Sequence, residues 1–382
     1  MSEATDNAGR RTLDPVVVGV KPWLPWPLSR WRWLTEPVPA ERLAGLRIGI
    51  AALLLLDILF TYLPYANVLF GGESLGRPEI FRFLYRPEWS WKAVEEDVTH
   101  LGEDLAKADP FHRTLDRRWR WSLLRDVEEP RIIRASLIAW LVATAFLLLG
   151  LGTRVAAAVV WLLSTSFANI NTYVDNGGDQ IRYIVTLYLL LTPCGAAWSL
   201  DAWLRRRRGR LPGRVFVYPW ALRLLFVQMV LMYWCNGWYK WTGEDWTNGD
   251  SLYYVLGDLT LTRWSYSQFP IPYEITRISS WMVLAWELTF PLWVCLPWRW
   301  LAGRLNRSFG GRLRWLTGTI RCVPVIALSF GVVFHLGIGA SMELGFFVPY
   351  ALCLYLPLLP LERLSRHVST VSAGASTLAK SA

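Results

Sequence analysis

Histidine is scarce in this chain and cysteine forms no pattern. The four histidines, His100, His112, His335 and His367, stand singly, and the five cysteines, Cys194, Cys235, Cys295, Cys322 and Cys353, show no C-x-x-C or other metal or redox spacing. A zinc or haem site therefore has no support, no metal is expected, and the cysteines read as packing residues. A secretory leader is not expected either, because the apolar run Val16 to Val20 is far shorter than the apolar core of such a segment. No internal repeat is visible, and no inverted repeat of the transporter kind. Acids are missing from two stretches: none stands among Arg205, Arg206, Arg207, Arg208, Arg210 and Arg214, and none among Arg299, Arg304, Arg307, Arg312, Arg314 and Arg321.

What is present points to a bilayer. The chain has 382 residues, is 53% hydrophobic and carries 24 Trp, a surplus over the roughly 45–50% apolar content of a soluble domain. The net charge of +10 sits beside apolar runs, so anionic lipid headgroups explain it better than nucleic acid. The stretch Tyr173 to Arg210 reads as one whole crossing, with the arginine block inside by the positive-inside rule and the Asp175-Asn176-Gly177-Gly178-Asp179 turn outside.

Alternation from there predicts an all-α protein, a polytopic integral membrane helical bundle of about eight transmembrane helices with both termini cytoplasmic. The expected spans are Leu43 to Tyr62, Ile132 to Gly150, Arg154 to Val174, Ile181 to Gly195, Trp220 to Trp238, Ile278 to Pro297, Val323 to Gly339 and Leu344 to Leu359. The fourth is shorter than the roughly 20 residues a crossing needs, so its ends require support from protein or from the amphipathic AWSLDAWL that follows. Residues 1–41 form an interfacial cytoplasmic segment, 42–360 the membrane domain with an extracytoplasmic loop at 63–130, and 361–382 a cytoplasmic tail. The bilayer is the first partner, and a bacterial cytoplasmic membrane the expected location.

An ionisable group inside a bilayer is costly unless paired, which singles out Arg47 and Asp57 in the first span, Arg182 in the fourth and Glu287 in the sixth. They read either as a network fixing helix packing or as functional groups. In the NGGD turn, Asn176 and Asp179 can cap the fourth span while Gly177 and Gly178 permit positive φ; equally, the glycines and free helix amides could admit an anion. Lys240, among Trp234, Trp238, Tyr239 and Trp241, is either a snorkelling lysine or a partly desolvated amine useful as a base, unless Glu244 or Asp245 lies close.

The run NGGDQIRYIVTLYLLLTPCGAAWSLDAWLRRR, followed later by NGWYKWTGEDWTNG, resembles the HTTM membrane domain of vitamin K-dependent gamma-carboxylases over about residues 43 to 350. The shared features are an Asn-containing outer turn, a short span, Trp198-Ser199-x-Asp201 with trailing arginines, and a lysine ahead of Trp246-x-x-Gly249. The resemblance implies a lipid-hydroquinone-dependent enzyme with Lys240 as the general base that deprotonates a reduced vitamin K or menaquinone-type quinone. Asn176, Gly178, Asp179 and Arg182 would lie near the head group, with Trp238, Trp241 and Trp246 about the site. The family carries a histidine where this chain has Gly178 and Asp179, and a large extracytoplasmic domain after its spans. The alternative is a non-catalytic membrane scaffold acting with a membrane or secreted protein partner, similar to the sporulation-delaying toxin maturation family.

Overall fold

A computed structural model describes residues 16–21, 31–71, 74, 121–125, 127–171, 176–210, 214–264, 267–268, 270–308 and 314–364, the side chains of 314–317 excepted. Most of the 63–130 loop, most of the N-terminal segment and most of the C-terminal tail lie outside these residues. The chain divides into two compact units, Met1–Gly19 with Val38–Val217 and Pro360–Ala382, and Val20–Pro37 with Tyr218–Leu359.

Among the described residues, four long helices build the first unit: α1 (Ala40–Asp57), prolonged by a π-helical turn at Ile58–Tyr62, α2 (Pro130–Leu149), α3 (Thr153–Ile170) and α4 (Gly177–Leu191). Each packs on the next, and α4 returns to α1. Leu43, Leu46, Ile50, Leu54 and Ile58 recur at helical spacing on α1 and are almost wholly buried, so one face of that span is protein core. Pro130 opens α2 where its missing N–H is harmless, and Gly150 closes it in the left-handed region at φ 73°. Leu151 N–H then donates back to Phe146 O at 2.9 Å, which makes the expected tight reversal into α3. Beyond α4 comes the short amphipathic α5 (Leu200–Arg207), capped by Ser199.

The all-α expectation takes one correction. Val16–Val18 (β1), Val38–Pro39 (β2) and Val215–Val217 (β3) form a small sheet ordered β1-β3-β2, with β1 parallel and β2 antiparallel to β3. The valines too few for a leader are strand material, being β-branched, and the inward Val215 and Val217 are buried.

The second unit is organised on α6 (Trp220–Trp241) packed along α7 (Tyr273–Cys295), with α8 (Trp298–Ser308), α9 (Arg314–Ser341) and α10 (Phe347–Cys353) following. Short helices at Glu244–Asn248 and Ser251–Gly257 fold back onto α7. A Cβ at Gly237 would lie 2.5 Å from Leu288 N and 2.8 Å from the Glu287 carbonyl carbon, so glycine sets how close α6 and α7 can come.

Among the described residues, five helices are long and apolar enough to cross a membrane: Ala40–Tyr62, Pro130–Leu149, Thr153–Ile170, Tyr273–Cys295 and Gly318–Ser341. Helices also stand at the other three expected positions, but α4 has 15 residues and α10 only 7, while α6 carries Arg223, Gln228, Asn236 and Lys240 along its 22. Val325, Val333 and Leu336 on α9 and Ile138 on α2 point outward, more than half exposed, which is the side-chain pattern of helices bathed in lipid.

Candidate functional site

Of the ionisable residues singled out in the spans, Asp57 and Arg182 fall in one cluster in the first unit and Glu287 in another in the second. In the first, Arg182 of α4 is fully buried. Its Nη2 meets Asp179 Oδ1 at 2.7 Å, one turn earlier on the same helix, and its Nη1 meets Asp57 Oδ2 of α1 at 3.2 Å. Both terminal nitrogens donate to Tyr62 Oη at 3.1 Å, and Tyr62 Oη donates to Asp179 Oδ1 at 3.3 Å. The guanidinium lies 5.2 Å from the Trp140 ring centre and 5.3 Å from that of Tyr62.

Tyr62 reaches this cluster because of the π turn. Five residues along an α-helix rotate a side chain by roughly 140° beyond a full turn, which would carry Tyr62 away from the face of Asp57. Leu63 N–H instead donates to Ile58 O, five residues back, at 2.8 Å, and the wider turn brings Asp57 and Tyr62 to one guanidinium.

The NGGD turn has its capping role. Asn176 Oδ1 accepts from Gly178 N–H at 2.7 Å and Asp179 Oδ2 from Asn176 N–H at 2.9 Å, a reciprocal capping box. Asp179 thus serves the helix end with one oxygen and Arg182 with the other. The positive φ expected at the two glycines does not occur, because Gly177 and Gly178 are already the first residues of α4. Gly178 N–H is taken by Asn176, so the amide offered to an outside anion is engaged within the turn.

The second cluster lies between α6, α7 and α9. Tyr233, Gly237 and Lys240 follow one another at i, i+4 and i+7 on one face of α6. Lys240 Nζ donates to Glu287 Oε1 of α7 at 2.7 Å. Glu287 is buried, with its side chain 3% exposed against 19% for Lys240, and its Oε2 has no hydrogen-bond partner among the described residues. Further along, Tyr233 Oη lies 2.7 Å from His335 Nε2 and 2.8 Å from Tyr355 Oη, while His335 Nδ1 has no partner among the described residues. Trp286, Phe290 and Phe334 pack this polar set on its apolar side.

The Trp246-x-x-Gly249 motif has a physical meaning here. The short helix after Thr242 turns Trp246 back so that its ring centre sits 4.5 Å from Lys240 Nζ. Gly249, at φ 88°, ends that helix where a Cβ would meet Arg277 Cγ at 2.5 Å and Trp281 Nε1 at 3.1 Å. Trp238 and Trp241, expected to wall the amine, are half exposed and pack edge-on against each other, 5.2 Å between centres. Glu244 and Asp245, the carboxylates nearest in sequence, are exposed, and Lys240 is paired with Glu287 instead.

Arg47 joins neither cluster. It is fully buried in α1 and donates to the carbonyl of Trp198, a non-glycine residue held at φ 45°. Its Nε and Nη1 have no hydrogen-bond partner among the described residues. Tyr62, Tyr233 and Tyr355 were not singled out by the sequence; for Tyr233 the signal was available, since it lies two turns before Lys240 on the same face. No three of His, Cys, Asp and Glu converge as a metal ion would require among the described residues.

Long apolar helices with paired charges inside them define a helical membrane protein. Compared with protein-family models, curated proteins and solved structures, the chain matches none.

Proposed function

We propose that this protein is an eight-span protein of a bacterial cytoplasmic membrane, with both termini inside, carrying an HTTM domain like that of the vitamin K-dependent gamma-carboxylases and acting on a membrane hydroquinone. The observation that carries the reading is the Lys240–Glu287 pair: an amine 2.7 Å from a buried carboxylate whose second oxygen is unpartnered among the described residues, with the Trp246 ring over the amine. A diphenol suits that donor and acceptor set. A reduced quinone of the vitamin K or menaquinone type supplies the oxidisable ring.

With the shared proton on Glu287 Oε1 both partners are neutral, and the amine is then able to act as a base. Lys240 Nζ then accepts a hydroxyl proton, and Glu287 Oε2 is an acceptor for a second hydroxyl group. The Trp246 ring lies over the amine, and Tyr233, two turns earlier on the same face of α6, is hydrogen-bonded to His335.

The test is turnover of reduced menaquinone by the full chain in lipid nanodiscs. Lys240→Ala should lower the rate at least a hundredfold, the size of a general-base contribution. Equal rates in wild type and variant would remove the proposal.

The second reading, a non-catalytic membrane partner, draws on a different observation: Arg182 and Lys240 each face carboxylates, as in a network that only fixes packing. It predicts no quinol turnover by wild type and a co-purifying protein lost on Glu287→Gln.

A further inference from the structure

The arginine-rich end of the first unit holds a feature the quinol reading does not use. Gly152, Thr153, Arg154, Pro193, Gly195, Asp201, Arg205 and Arg208 line a cleft of about 420 Å³. A second cavity, about 770 Å³, is an apolar groove between α2 and α3 that includes Ile138, Ala139, Val142, Phe146 and Val159. Gly152 and Val155 line both, so the basic cleft and the groove adjoin at the start of α3. Both volumes fall within the range of ligand sites, roughly 300–1,000 Å³.

The charges in the cleft are not mutually spent. Its one carboxylate, Asp201, already accepts from Gly152 N–H at 2.9 Å, Thr153 N–H at 3.0 Å and Thr153 Oγ1 at 3.0 Å, closing the start of α3. Burial alone would raise the Asp201 carboxyl, but those bonds, with Arg205 nearby, hold it below its ordinary value, so it stays an anion bound to backbone. Arg205 is fixed across the cleft by donating to Gly195 O at 2.7 Å and Asp201 O at 3.1 Å. Arg154 and Arg208 are exposed. Behind the wall, Arg47 lies so close to Gly150 that a Cβ there would be 2.3 Å from its Nη1, adding a fourth positive charge.

The groove has the length of one acyl chain. From Ala135 to Phe146 the lining residues of α2 recur on one face, and eleven residues of helix rise roughly 16 Å, about half the roughly 30 Å hydrocarbon core. Ile138 and Phe146 on the groove walls are about half exposed. A charged head beside a one-leaflet apolar channel is the outline of an amphiphile.

We propose that this cleft and the groove beside it together bind one anionic membrane phospholipid, its phosphate held by Arg154, Arg205 and Arg208 and one acyl chain laid between α2 and α3. Guanidinium groups favour phosphate through paired hydrogen bonds, and neither feature alone would select this ligand. The inference is independent of the quinol reading.

Native mass spectrometry of the full chain, with phosphatidylglycerol and phosphatidylcholine of identical acyl chains, tests it. Wild type should retain phosphatidylglycerol about tenfold better or more. Arg154→Gln with Arg208→Gln should abolish that preference, Ala139→Trp should reduce retention of both lipids, and Arg206→Gln, outside the cleft, should change neither. Circular dichroism confirms that each variant is folded, and a variant that fails to fold is replaced by Arg154→Lys with Arg208→Lys, which should weaken the preference only partly. No preference in wild type overturns the site, as does an equal loss in Arg206→Gln. Displacement of the lipid by inorganic phosphate with Ala139→Trp still binding would also overturn it, since the site would then take a free anion.

Discussion

Removing one partner of the Lys240–Glu287 pair should cost very different amounts depending on which is removed. Lys240→Met strands a carboxylate whose side chain is 3% exposed and whose second oxygen is already unpartnered among the described residues, so the loss should approach the 3–5 kcal/mol of a broken buried pair. Glu287→Gln leaves an amine that is 19% exposed and keeps the Trp246 ring 4.5 Å away, so about 1–2 kcal/mol is expected. The double variant strands no charge and should cost less than the two singles together by about 2 kcal/mol or more. Unfolding in mixed micelles, followed by the fluorescence of the 24 Trp, measures all three. A lysine truncation no costlier than the glutamate's, or a coupling within about 0.5 kcal/mol of zero, would refute the reasoning that burial makes Glu287 the dependent member.

Two further predictions concern the first unit. Tyr62→Phe removes an acceptor used by both terminal nitrogens of Arg182 and a donor to Asp179, and should cost about 1–3 kcal/mol in the same unfolding assay, with the Arg182–Asp179 contact at 2.7 Å retained. Asp201 sits below its ordinary 3.8 in the folded chain, so its contribution is present above about pH 4 and is lost as pH falls through the lower folded value; Asp201→Asn should flatten the acid side of a stability–pH curve, and an unchanged slope would count against its role as the cap of α3.

How much of this could be read beforehand depends on how far apart the partners are in sequence. The Asn176–Asp179 box and the Asp179–Arg182 pair are three-residue relationships on one helix, and they follow from the order of residues alone. The tight joint at Gly150 to Gly152 was legible for the same reason. Glu287 stands 47 residues from Lys240, and no local rule ranks it above the adjacent Glu244 and Asp245; what decides is that α6 packs along α7. The sheet pairs Val16 with Val215, a register fixed only once the helices between are folded. The eighth expected span is a 7-residue helix followed by a 3-10 turn at Leu356–Leu358, because Pro357 denies the chain a backbone donor there.

The two clusters stabilise a cation by different means, fully buried for Arg182 and partly exposed for Lys240, and the difference bears on which suits chemistry. Arg182 is held by two carboxylates and a tyrosine and lies against Trp140, an arrangement that fixes α4 to α1 and keeps a group that does not deprotonate in proteins. Lysine can lose its proton. Among the described residues Lys240 has one carboxylate, that carboxylate has an unpartnered oxygen, and their meeting depends on Gly237, where any Cβ would push against α7 backbone. Small displacements of α6 from α7 therefore lengthen a 2.7 Å contact directly, with no second carboxylate among the described residues of the kind Arg182 has to take up the charge. Of the two clusters, the Lys240–Glu287 pair is the one whose contact a single helix spacing controls, whereas Arg182 is held from two helices by three oxygen-bearing side chains.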